Sequence, residues 1–236
     1  MSLPQDPLQD LLQDPPLTSI AGAQYRLVPS HFPPIHLFEH LLDPHELDAA
    51  YALEALTNPR LRDEAGDIRL VAPGERVVGP GASPVMAAFT HLGGGTRFSD
   101  GSYGIYYAGS SLDVAIAETI YHRERFLSAT AEKSCSITMR CYTGRIAQPL
   151  HDIRGAAWNT LHHPDDYVPS QRFGKTLRAE SSWGLLYRSV RKPGGECVAV
   201  LRPRALRQVR QSGHYAYLWD GERITDVLQL KRIEID

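Results

Sequence analysis

Arg97, Tyr107 and Glu118 follow one another in the chain, and each is a residue type suited to one part of a charged, aromatic substrate. The guanidinium of Arg97 is a planar fork that matches a pair of phosphate oxygens. Tyr107 offers a flat face to an aromatic ring. Glu118 can set negative charge against a cation that develops in a transition state. His122 comes one helical turn after Glu118, on the same edge of the same segment, within reach of a phosphate or an acceptor. Spacing alone does not separate this arrangement from a plainer one. In the plainer one Arg97 and Glu118 form a structural salt bridge, Tyr107 is core, and His122 is a partly exposed helix histidine.

The elements around these residues must bring them to one cleft. Residues 96–98 and 104–108 read as two strands about an Asp100-Gly101 turn. Ser110 then caps a helix over 111–126, with Asp113 in its first turn, where the helix dipole favours a carboxylate. Leu112, Ala115, Ile116, Thr119 and Ile120 form its buried stripe, and Glu118 and His122 lie on one edge of that stripe. Upstream, Asp43-Pro44-His45-Glu46 starts a helix that Asn58-Pro59 ends. Residues 68–71 and 76–78 read as short strands, and Ser83-Pro84 opens a helix that runs to the Gly93 triplet. Downstream, strands are expected over 134–142, 185–190, 197–201 and 215–219, with an edge strand over 228–235 and a helix over 169–182. Strands outnumber helices and several are joined by hairpins. The expected class is therefore α+β, a mixed sheet flanked by helices rather than a doubly wound parallel sheet.

The bulk composition bounds the function. The 236 residues suffice for one large domain, and 42% hydrophobic with 22% charged residues is ordinary for a soluble globular chain. A formal charge of −2 argues against direct binding of nucleic acid. Cys135, Cys141 and Cys197 form no CxxC pair, so neither a disulfide framework nor a zinc knuckle is expected. No basic-then-apolar leader and no membrane-length apolar run is present, which points to a reduced, cytoplasmic protein. The Pro-, Gln- and Asp-rich start reads as an N-terminal arm or extension over 1–40, followed by a single domain over 41–236. Glu118 and His122 are not an HExxH pair and no third ligand is evident, so no metal is expected. Arg202, Arg204, Arg207 and Arg210 read as a solvated face that can also meet an acidic partner.

In order along the chain stand Gly95-Thr96-Arg97-Phe98, Tyr106-Tyr107-Ala108 and Ala115-Ile116-Ala117-Glu118-Thr119. They are followed by Gly184-Leu185-Leu186-Tyr187-Arg188-Ser189-Val190-Arg191 and Gly194-Gly195-Glu196-Cys197-Val198-Ala199-Val200. This series resembles the RES-domain family, named for an Arg, a Glu and a Ser, over residues 70–203. On that resemblance Ser189 is the third signature residue, with Ser181 and Ser182 as alternatives. The resemblance implies a fold like that of ADP-ribosyltransferase toxins and NAD⁺ as substrate. It also implies an antitoxin partner with an Xre-like helix-turn-helix region, with self-association or a toxin–antitoxin assembly left open.

The implied roles are specific. Arg97 holds the pyrophosphate, Tyr107 stacks near nicotinamide, and Glu118 stabilises the ribosyl cation. Ser189 bonds ribose or positions Glu118, and His122 touches a phosphate or acceptor. The expected reaction is cleavage of the nicotinamide–ribose bond by hydrolysis or phosphorolysis, depleting cellular NAD⁺. Transfer of ADP-ribose to a protein, and a non-catalytic NAD-binding or repressor-complex module, are the alternatives.

Overall fold

Gly184–Arg188 and Glu196–Val200 are runs in which nearly every side chain is buried, so both strands must be covered on both faces. That requirement organises the computed structural model, which describes residues 14–30, 66–231 and 233. The strands are β1 (Leu17–Thr18), β2 (Gln24–Pro29), β3 (Tyr106–Gly109), β4 (Cys135–Ile146), β5 (Leu150–Asp152), β6 (Gly184–Arg188), β7 (Glu196–Val200), β8 (Leu206–Trp219) and β9 (Ile224–Leu230). They form a nine-stranded sheet in the order β1-β5-β6-β7-β3-β2-β4-β8-β9. The β5–β6 pair is parallel and the other neighbours are antiparallel, so the sheet is mixed and the class is α+β.

Three α-helices among the described residues cover this sheet: α1 (Ala82–Thr90), α2 (Leu112–Thr130) and α3 (Val168–Ala179). Val85, Met86 and Phe89 of α1 pack with Tyr106, Leu186, Val198 and Val200 on one face. The alternate residues Leu185, Tyr187, Cys197 and Ala199 point the other way, to Phe98 and to Leu177 of α3. On that second face Ala115 of α2 packs with Leu27, Met139 and Cys141. None of the helices among the described residues is long and apolar enough to cross a membrane.

Several expectations are corrected. Residues 68–71 and 76–78 are not strands. The stretch contains 3₁₀ turns at Ile68–Leu70 and Pro73–Glu75. Asp67 accepts the N–H of Arg69, and Nε of Arg76 donates to the carbonyl of Val71, so local bonds replace a ladder. Residues 96–98 and 104–108 do not pair as a hairpin either. Thr96 N–H closes a tight turn onto the Ser99 carbonyl at 2.7 Å. The Tyr107 hydroxyl accepts the N–H of Phe98, and β3 pairs with β7 and β2 instead.

Residues 17–18 and 24–29, expected within an N-terminal extension, are strands of the sheet. β2 is inserted between β3 and β4 and pairs antiparallel with both. The expected helix beginning at Asp43 lies outside the described residues. The helix read as 111–126 runs to Thr130, with Ser111 rather than Ser110 accepting the N–H of Val114. The edge strand ends at Leu230.

Gly174 is where α3 meets the turn that carries Arg97. A Cβ there would lie 2.2 Å from the Phe98 carbonyl oxygen, closer than any real contact. Gly→Ala inside a helix is ordinarily worth about 1 kcal/mol in favour of folding. Here overpacking against backbone reverses the sign, and Gly174→Ala is expected to destabilise the chain by about 1–3 kcal/mol. Chemical denaturation of the two proteins checks this; a variant at least as stable as the wild type would contradict the packing.

Candidate active site

β2 and β3 are joined by one register pair, Tyr25↔Gly109. Where they part, a cavity of about 620 Å³ opens, and Arg97, Tyr107, Glu118 and His122 all line it. The four side chains therefore share one cavity, with Arg97 carried on a turn and not on the strand expected for it. Among the described residues no ion pair joins Arg97 to Glu118, so the plain salt-bridge reading does not describe them.

Arg97 is 7% exposed. Its Nη1 donates to the carbonyls of Leu161 at 3.3 Å and His163 at 2.8 Å, and its guanidinium lies 4.7 Å from the Tyr167 ring centroid. Both bonds use one nitrogen, which holds the group while leaving its other N–H donors for an anion. Tyr107 supports the same turn. Its hydroxyl shares a hydrogen bond with Thr96 Oγ1 at 2.9 Å and accepts from Phe98 N–H at 3.1 Å. Burial pushes this phenol well above its ordinary pKa, so it stays protonated.

Glu118 faces the cavity from α2, and Ser189 holds it. The Ser189 hydroxyl lies 2.6 Å from Glu118 Oε1. It also accepts the backbone N–H groups of Arg191 at 3.2 Å and Lys192 at 2.9 Å. With both lone pairs engaged, its own proton has one direction left, toward the carboxylate. Ser189 is buried just beyond β6 and lines not the cavity but a neighbouring groove of about 990 Å³. It meets Glu118 from behind. Of the two roles the resemblance implied for it, the geometry displays the contact to Glu118. Ser181 and Ser182 line neither space: Ser181 is in a turn with φ 60°, and Ser182 Oγ accepts the N–H of Gly184.

His122 stands at the mouth of the cavity, exposed on one side, with its ring 5.3 Å from that of Tyr121. The protein around its other side removes water and lowers its pKa. The Glu118 charge opposes this, and Arg191, Arg123 and Arg97 add to it. The imidazole is therefore neutral at neutral pH. Among the described residues no three His, Cys, Asp or Glu side chains gather as metal ligands.

The structure adds residues that sequence reasoning passed over. Arg26 of β2 lines the cavity, donates from Nη1 to the Tyr107 carbonyl at 3.0 Å, and lies 4.6 Å from the Tyr106 ring centroid. Burial lowers its pKa, and no carboxylate is within ion-pair distance of it among the described residues. An arginine within the run Tyr25-Arg26-Leu27-Val28, otherwise without charge, was the available signal. Cys197 also lines the cavity, its Sγ 3.9 Å from Glu118 Oε1; burial and that charge push its thiol far up, so it is no nucleophile. Tyr167 left no signal, because only a loop crossing brings it over Arg97.

A family model described as the RES domain matches residues 75–220. The uncharacterized protein y4oC of Sinorhizobium fredii is 31% identical over 205 residues, covering 85% of this chain and 84% of that protein. A chain of the M. tuberculosis MbcT–MbcA toxin–antitoxin complex aligns over 87% of both chains at 11% identity and a TM-score of 0.45, a likeness too distant to bear on function.

Ser189→Ala leaves two backbone N–H groups without their acceptor and Glu118 without its donor. The expected cost is about 1–3 kcal/mol of stability, read by chemical denaturation. A neutral result would mean that the hydroxyl does not hold this loop.

Proposed function

The chain belongs to the RES-domain family, and on that footing we propose that it binds NAD⁺ in the cavity and cleaves the bond between nicotinamide and ribose. The observation that carries this reading is the placement of Glu118: one carboxylate, fixed from behind by Ser189, facing a space shared with Arg97 and Tyr107. In NAD⁺ the nicotinamide nitrogen is already cationic. When the glycosidic bond breaks, its electron pair leaves with nicotinamide, which departs neutral, and positive charge passes to the ribosyl carbon and its ring oxygen. No acid is needed for the leaving group, so the two carboxylates of ordinary glycoside hydrolysis reduce to one.

In this reading Glu118 stabilises the ribosyl cation with the oxygen that Ser189 leaves free, and Ser189 is a positioning residue. The free N–H donors of Arg97 hold the pyrophosphate, and Arg26 adds a second cation to the cavity lining. Tyr107 presents an aromatic face and keeps the Arg97 turn in place. His122, neutral at the mouth, accepts a hydrogen bond from an incoming nucleophile or from substrate. The cation is taken by water, by inorganic phosphate or by a protein side chain. A cytoplasmic enzyme that consumes a central cofactor has to be restrained. This supports the reading of the chain as the toxin of a pair, held by an antitoxin with an Xre-like helix-turn-helix region.

Incubating the purified chain with NAD⁺ and following nicotinamide, ADP-ribose, ADP-ribose phosphate and modified protein by mass spectrometry tests the reaction and separates its acceptors. Glu118→Gln is expected to bind NAD⁺ and lose about 100-fold or more in turnover, because a neutral amide fills the space without offsetting the cation. Arg97→Ala is expected to act first on KM. Near-normal nicotinamide release by Glu118→Gln would overturn the assignment.

A further inference from the structure

The backbone around His162 serves the site from one side, and its side chain serves it from the other. The carbonyls of Leu161 and His163 hold Nη1 of Arg97. Between them the buried imidazole of His162 turns inward, with Nδ1 2.9 Å from the Trp158 carbonyl and Nε2 3.2 Å from the backbone N–H of Arg188. A carbonyl only accepts and a backbone N–H only donates. Nδ1 must therefore carry the proton and Nε2 the lone pair, which is a neutral ring in one tautomer. Arg188 ends β6, and the next residue is Ser189, whose hydroxyl holds Glu118. One imidazole thus stands between the anchor of the guanidinium and the anchor of the carboxylate.

We propose that His162 is a positioning residue of this site, a neutral Nδ1–H imidazole that locks the segment holding Arg97 to the strand end holding Ser189 and Glu118. What is positioned rests on the NAD⁺-cleavage reading; the lock itself does not. The surroundings favour the required form. Burial lowers the pKa of the ring, the bond to the Trp158 carbonyl works against this, and the cations Arg188 and Arg97 reinforce it. Tyr187, from β6, has its ring centroid 6.4 Å away. Arg154, Asp152 and Glu196 line the groove that His162 borders and are ion-paired among themselves. Protonation would set a second N–H on Nε2 against the N–H of Arg188. The lock is closed above the lowered pKa and opens as pH falls through it.

Two measurements on the full chain test the proposal. The first does not depend on turnover: long-range ¹H–¹⁵N NMR of the histidine rings. Expected is a His162 ring protonated at Nδ1 through neutral pH and titrating below the ordinary value of about 6.5. A proton on Nε2, or titration at or above that value, overturns the lock whether or not the protein cleaves NAD⁺. The second is nicotinamide release by His162→Phe and His162→Gln, each in wild-type and Ser189→Ala backgrounds. Phenylalanine keeps the ring but neither polar atom, and is expected to lower kcat about tenfold or more while raising KM. Glutamine keeps one donor and one acceptor and is expected to recover most of that loss. In the Ser189→Ala background, where the same connection is already cut, His162→Phe should cost little more. Equal losses in both backgrounds, with glutamine no better than phenylalanine, would assign His162 to general folding and overturn the proposal. A wild-type chain that releases no nicotinamide would sink the cleavage reading alone, and the NMR result would still decide the lock.

Discussion

The hydroxyl of Ser189 accepts two backbone N–H groups and has its proton directed at Glu118, and the rest of the site is arranged around that bond. A carboxylate on a helix has several rotamers. This one is held by a group whose own orientation is set by main chain. The turn that supplies the two N–H groups is closed in its turn by glycine. Ser189 N–H donates to the Gly195 carbonyl, and a Cβ at Gly195 would meet Val114 Cγ2 at 2.6 Å. Absence of a side chain there lets the β6–β7 loop lie against the first turn of α2, within reach of Glu118 one turn further on.

The opposite wall is built on the same close approach. At Gly109 a Cβ would stand 2.7 Å from the backbone nitrogen of Ala115, so α2 sits directly on the end of β3. Gly109 is also the residue that pairs with Tyr25, the one rung between β2 and β3. Beyond it the strands part, and the space they leave is the cavity. Arg26, Arg97, Arg123 and Arg125 line that space together with Glu118, an excess of positive charge in a chain whose overall formal charge is −2. Concentrating cations in a concave, low-dielectric site is what an anionic substrate requires. Arginine suits the task because its guanidinium keeps its charge in surroundings that would neutralise a lysine.

Loop 163–167 borders the cavity through Tyr167 and is tied down on two sides. Inside, Arg97 bonds the His163 carbonyl. Outside, the Tyr121 hydroxyl donates to Asp165, and the Arg191 guanidinium lies 3.4 Å from the Tyr121 ring centroid while bonding the Pro164 carbonyl. The outer contacts lie at the surface and contribute little individually. The inner ones are shielded from water and define where the guanidinium sits.

Read alone, the sequence determined what depends on neighbours along the chain. The helix carrying Glu118 and His122 on one edge, the buried strands β6 and β7 and the mixed α+β class all follow from periodicity and capping, which are local. Their order and family likeness pointed to Arg97, Tyr107 and Glu118, which line one cavity, and to Ser189, which lines a neighbouring groove and reaches only Glu118. Tertiary structure decided the rest. The stretches at 68–71 and 96–98 have strand-like composition, but side chains from Asp67, Arg76 and Tyr107 satisfy their backbone groups, and no ladder forms. The segment Gln24–Pro29 reads as part of an extension because its partners, β3 and β4, lie about 84 and 110–120 residues away in the chain. Arg26, Tyr167 and His162 joined the site for the same reason. What each touches is set by where the backbone crosses in space, and spacing in the sequence carries no trace of that.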